Sequence, residues 1–114
     1  LYLGARLKGE FVGYGACSWT GDRLHILRLA VHPDVRRFGV GSQLLVALGE
    51  IGAAVPCRRA FLELRRSNVA AAALYARFGF VEVGFKKRYY SDNGEDAFIL
   101  EAPLPLREIP SKNP

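Results

Sequence analysis

The pattern of apolar and polar positions predicts strands at the start of the chain, a helix after Pro33, and then a strand, a helix and two more strands. Leu1 to Leu7 and Phe11 to Thr20 are apolar-rich stretches split by Lys8-Gly9-Glu10, which reads as a hairpin. Leu24 to Val31 alternates large apolar residues as a third strand, and Pro33 ends it. From Gly39 to Val55, residues Gly41, Leu44, Leu45, Leu48, Gly52 and Val55 share one helical face. Gly49 and Gly52 inside that helix each cost about 1 kcal/mol relative to alanine, so they predict the close approach of another backbone. Pro56 closes the helix.

Ala60 to Leu64 is a short strand with Phe61 and Glu63 on one face and Leu62 and Leu64 on the other. Ser67 or Asn68 caps a second helix whose stripe is Ala71, Leu74, Tyr75 and Phe78, and Gly79 stops it. Phe80 to Arg88 and Ala97 to Ala102 are the last strands, with the turn residues Ser91-Asp92-Asn93-Gly94 between them. The order β-β-β-α-β-α-β-β is that of one mixed α/β (α+β) domain over residues 1–102. Four prolines from Pro103 onward predict an irregular tail over 103–114.

The length of 114 residues suits one core. No apolar run reaches the 18 or so residues that span a bilayer and no charged-then-apolar leader opens the chain, so the expectation is a cytoplasmic protein without membrane contact. The sequence lacks methionine and begins at Leu1, which predicts that residues precede it. Cys17 and Cys57 belong to no ligand cluster, so they read as buried thiols and no metal site is expected. The net charge of +5 comes from short clusters such as Arg36-Arg37, Arg65-Arg66 and Lys86-Lys87-Arg88. A phosphate-bearing cofactor, an acidic peptide, proximity to RNA or a solvated basic face each fits that charge.

Chemistry is expected first in Arg36-Arg37-Phe38-Gly39-Val40-Gly41-Ser42, between a strand and a helix start. Unpaired amides and the positive end of the helix dipole bind anions there, and glycines let a phosphate approach the backbone. A P-loop fails for lack of its spacing and lysine, and a dinucleotide fingerprint fails because Leu44 stands where its third glycine would be. Taken alone, two glycines at a helix start serve close packing equally well. On the same footing Glu63 reads as a surface strand carboxylate, Tyr75 as a core residue and Asn68 as a helix cap.

The stretch H-P-D-V-R-R-F-G-V-G-S-Q-L-L resembles the acetyl-CoA loop of the GNAT superfamily, [QR]-x-x-G-x-[GA], with Arg36, Gly39 and Gly41 in its fixed positions. F-L-E-L-R-R-S-N with A-L-Y-A-R-F-G-F, and then K-R-Y-Y-S-D-N-G-E-D-A-F-I-L, resemble the second half and closing hairpin of its RimI subgroup. The resemblance covers about Leu24 to Leu100. It implies the GNAT-type acyl-CoA N-acyltransferase fold, a twisted mixed, mostly antiparallel sheet flanked by helices, whose N-terminal strand and two helices are absent from this chain. The two central strands would splay so that the pantetheine arm of acetyl-CoA pairs with the backbone of Leu29, Ala30 and Val31. Amides from Arg37 through Phe38, Gly39, Val40 and Gly41 to Ser42 would hold the pyrophosphate, and Asn68 would contact the cofactor near its reactive end.

The activity implied is acetyl transfer to an amine, here the N-terminal α-amine of a protein such as a ribosomal protein. The other acceptor classes are a small-molecule amine, or none in a non-catalytic acyl-CoA-binding module. No direct nucleic-acid binding is expected. By the same resemblance Glu63 is the general base and Tyr75 the general acid, with Phe61 and the sheet expected to desolvate Glu63 and raise its pKa. A backbone N–H of Leu29 or Val31 is the expected donor to the oxyanion. His25 and His32 stand alone in the sequence and receive no role.

Overall fold

The computed structural model describes residues 1–110. Six strands form one sheet: β1 (Tyr2–Leu7), β2 (Glu10–Thr20), β3 (Arg23–Val31), β4 (Arg59–Arg65), β5 (Val81–Lys86) and β6 (Ala97–Pro103). Two helices, α1 (Val40–Ala54) and α2 (Val69–Arg77), complete it, and Pro33–Phe38, expected as a loop, is a 3-10 turn. His32 caps that turn, its Nδ1 accepting the Asp34 amide at 3.1 Å. The sheet order is β1-β2-β3-β4-β6-β5, antiparallel except for the central β3–β4 pair, which is parallel. That one parallel pair exists because α1 is the crossover between β3 and β4. No helix among the described residues is long and apolar enough to cross a membrane.

Strand alternation divides the sheet into two faces. Leu24, Ile26, Ala60, Leu62, Leu64, Leu100 and Ala102 are buried on one face, in the cluster that holds Leu45 and Leu48 of α1 and Tyr75 of α2. Cys17 and Cys57 are free thiols inside this core, and burial pushes both up in pKa. Phe61 and Glu63 stand on the opposite face, as their parity predicts. In α2 the expected stripe is buried only at Tyr75, with Phe78 at the helix end; Ala71 and Leu74 are half-exposed because they line a cleft. The Asn93-Gly94 turn is present, with Gly94 at φ 73°, but it lies within a long β5–β6 connection rather than a two-residue hairpin.

The helix glycines have a cause other than the expected backbone approach. A Cβ on Gly52 would lie 2.8 Å from Leu104 Cδ1 and 2.9 Å from Leu24 Cδ2, and one on Gly49 would lie 3.0 Å from Leu106 Cδ1. Side chains of the tail therefore press into the gaps these glycines leave, and the segment after Pro103, though irregular, is docked along α1. The rest of the expected tail, residues 111–114, lies outside the described residues.

Leu24 fills its hollow completely, with no exposed surface. Leu24→Ala should destabilise the fold by about 2–5 kcal/mol, the usual cost of a buried leucine and its cavity. Urea unfolding measures this, and a loss below about 1 kcal/mol would show that α1 collapses onto β3.

Candidate active site

The central strands part beyond His25 and Phe61. Pairing of β3 with β4 covers only Arg23–His25 against Arg59–Phe61, while β3 runs on to Val31 and β4 to Arg65. On its other side β3 stays paired with β2 as far as Val31, so the lip of β3 facing β4 is left without a strand partner. The resulting cleft, about 210 Å³, is lined by Leu29, Glu63, Asn68, Tyr75 and Tyr90 among others.

A larger cleft, about 760 Å³, opens between the start of α1 and α2 and is lined by Val31, Arg36, Gly39, Gly41, Ser42 and Asn68, with Leu74 and Arg77 on the α2 side. Asn68 and Ala71 border both spaces. The Asn68 side chain also caps α2, accepting the Ala71 amide at 3.1 Å. Gly39 precedes α1 in the left-handed region at φ 75°, and no side chain caps the helix. The first intrahelical bond is donated by Gln43 to Gly39, so the amides of Val40, Gly41 and Ser42 have no partner within the helix. These uncapped donors at a helix start suit a diphosphate.

Other expected binding residues take different positions. Ala30 is half-buried between Leu29 and Val31. Phe38 is exposed and Val40 turns into the core, and neither side chain lines the larger cleft. The side chain of Arg37 lies outside the described residues.

Glu63 is not a free carboxylate. His25 Nε2 lies 2.7 Å from Glu63 Oε1, and Lys86 Nζ donates to Oε2 at 3.4 Å. The imidazole stacks on Phe61 with ring centroids 4.3 Å apart, and the Arg23 guanidinium covers the Phe61 ring, also at 4.3 Å. Burial alone raises the Glu63 carboxyl, but the hydrogen bond and charge of His25, with the Lys86 ammonium, outweigh it. The group is held below the ordinary carboxylate range, opposite in sign to the expected rise.

His25 is thus a residue that sequence reasoning missed. Its neighbours Leu24 and Ile26 are buried, so period-two parity puts His25 on the face of Phe61 and Glu63. The parallel register His25↔Phe61 then brings it beside Glu63. Parity was readable in the sequence; the register was not.

Tyr75 is 6% exposed and packs edge-on against Phe80 at 5.4 Å. Burial pushes its phenol up to about 12. The hydroxyl is no buried orphan and makes no bond to the described residues, so it opens on the cleft. Tyr90 joins the cleft under the Arg65 guanidinium, 4.0 Å above its ring. Glu95 pins this region: it accepts bonds from Asn93, from the Ser67 amide at 2.8 Å and from Arg65, which hold its carboxyl at about 2.

Comparison with known proteins agrees with this geometry. The acetyltransferase (GNAT) family model matches residues 1–80. An N-alpha-acetyltransferase of Sulfolobus acidocaldarius is 37% identical over 113 residues, 88% of this chain and 67% of that one. The ribosomal protein bS18-alanine N-acetyltransferase of Escherichia coli K12 is 33% identical over 109 residues, 92% of this chain and 74% of the relative. The crystal structure of the ribosomal-protein-S18-alanine N-acetyltransferase from Escherichia coli superposes with a TM-score of 0.82 at 30% identity, over 100% of this chain and 73% of that one. The chain spans about two thirds of the length of such curated relatives. A sheet parted at its centre, an uncapped glycine-led helix beside the gap and a family match over these same elements lead to one conclusion: the chain belongs to the acetyltransferase (GNAT) family and resembles its RimI-type N-acetyltransferases.

Proposed function

We infer that this chain is the cofactor-binding and catalytic part of an acetyl-CoA-dependent N-acetyltransferase acting on the N-terminal α-amine of a protein, such as a ribosomal protein. The observation that carries the reading is the cleft between the parted strands, which is lined by both Glu63 and Tyr75 and shares Asn68 with the helix-start cleft. When bound, acetyl-CoA supplies an acetyl group activated on sulfur and an anionic nucleotide end. The amides of Val40, Gly41 and Ser42 would hold the diphosphate, and the open lip of Leu29, Ala30 and Val31 would pair with the extended arm as a strand does. A backbone N–H of Leu29 or Val31 in that lip would stabilise the oxyanion.

The acceptor must lose a proton before it attacks. An α-amine ordinarily titrates near 8 and a lysine amine near 10.4, so an N-terminus needs the weaker base. Glu63, held low by its neighbours, is a poor proton acceptor by itself. In the His25–Glu63 pair the carboxylate orients the imidazole and stabilises it once charged, so the pair is the base. Tyr75, which lines the same cleft, would donate to the departing sulfur.

The test uses the full-length protein with acetyl-CoA and peptides beginning with alanine, read by mass spectrometry for the modified α-amine and by thiol release. Acetylated α-amine with no lysine product is the expected result. Turnover confined to small amines would reject the protein N-terminus as acceptor. Binding of acetyl-CoA without turnover of any amine would reject the enzyme reading.

A further inference from the structure

The tail after Pro103 ends its described course at the wall of the larger cleft. Leu104 seats on Gly52 and Leu106 on Gly49, so the chain runs along α1 toward the start of that helix. There the Ile109 amide donates to the Arg77 carbonyl at 2.7 Å, and the Arg77 guanidinium donates to the Glu108 carboxylate, through Nε at 3.2 Å and through Nη2. Arg77 lines the larger cleft, while Glu108 lines a second, shallower one; Ser42 borders both. The ion pair therefore stands at the rim between the two spaces.

Charge gives this placement a consequence. Arg36 and Arg77 are the cationic side chains among the described residues that line the larger cleft, and Arg36 stands on the side of the helix start. Arg77, on the opposite wall, has its charge taken up by a carboxylate of the tail. The pair is about half-exposed on both sides, so it contributes little to stability and is readily exchanged for a stronger anion. Coenzyme A carries such an anion, the 3′-phosphate of its ribose, in addition to the diphosphate. A phosphate monoester matches a guanidinium fork at least as well as a carboxylate does and carries more charge.

We propose that Arg77 binds the 3′-phosphate of the cofactor and that Glu108 competes for it, so that the C-terminal tail sets the affinity for coenzyme A. The inference rests on the larger cleft being the cofactor site. Glu108 leaves Arg77 when the nucleotide enters, and the tail remains held by Leu104, Leu106 and the Ile109 amide. No bond is made or broken other than these hydrogen bonds.

Coenzyme A and dephospho-coenzyme A, which lacks only the 3′-phosphate, separate this idea from the reading on which it rests. In calorimetric titrations of the full-length protein, Arg77→Ala should weaken coenzyme A about five- to twentyfold and leave dephospho-coenzyme A within twofold. Glu108→Gln should tighten coenzyme A about two- to fivefold, with no change for dephospho-coenzyme A and no effect once Arg77 is alanine. Equal changes for both ligands, or unaltered coenzyme A affinity in Glu108→Gln, would overturn the competition while the cofactor site stands. Failure of the wild-type protein to bind either ligand overturns both. Both side chains are half-exposed, so the variants should unfold at the wild-type temperature, and Glu108→Gln decides the matter if Arg77→Ala does not fold.

Discussion

Glu63→Gln should lower kcat on an acceptor peptide by about 10²-fold, within the usual range of a general acid–base contribution, while acetyl-CoA affinity stays within about twofold. Affinity is spared because Glu63 lines the small cleft and not the helix-start cleft where the diphosphate would be held. The fall in rate follows from the 2.7 Å contact with His25: an amide in place of the carboxylate no longer stabilises a charged imidazole. His25→Gln should show a loss of similar size, and the double variant little more than either alone, because the two act as one unit.

The depressed carboxyl links stability to pH. Glu63 is held below its ordinary value by the hydrogen bond and charge of His25 and by Lys86, so it stays ionised throughout the neutral range. A depressed carboxyl contributes stability above its unfolded value, near 4.3, and loses it as pH drops through the folded one. The Tm difference between wild type and Glu63→Gln should therefore be present at pH 7 and vanish under strongly acid conditions. Wild-type turnover in Glu63→Gln would remove the pair from the mechanism.

Tyr75→Phe should cut kcat by about 10- to 100-fold with little change in Tm. The ring stays buried against Phe80, and the only group lost is a hydroxyl without a partner in the described residues. At about 12 the phenol remains protonated at any working pH. It sits about 3.5 units above an ordinary thiol near 8.5, so outright proton transfer to a thiolate is uphill by about 5 kcal/mol. Its contribution is thus a hydrogen bond that strengthens as charge develops on sulfur, which places the loss in kcat and not in KM. A raised KM with unchanged kcat would make Tyr75 a packing residue.

The element order and nearly all strand limits were readable from alternation and punctuation, because each strand buries one face and each turn carries glycine, proline or asparagine. The loop at Gly39 and the pairing of Glu63 with Tyr75 in one cleft came from motif resemblance, since composition left both with ordinary structural explanations. What the sequence hid depends on contacts between distant segments. The His25–Glu63 bond needs the parallel register of β3 on β4, and the sign of the Glu63 shift needs Lys86 as well. The helix glycines signalled a close neighbour, yet only the fold identifies it as leucines of the proline-rich tail.

A sheet normally leaves its unpaired backbone at the rim, where charge or curvature guards it. Here two further raw margins lie at the centre, where β3 and β4 separate. Without an occupant, their amides and carbonyls must be hydrated inside the domain, so the seam least protected against intrusion by a foreign strand runs through the middle of the molecule. An extended ligand paired there would act as the missing cross-link between two half-sheets that otherwise share three residue pairs and the common core.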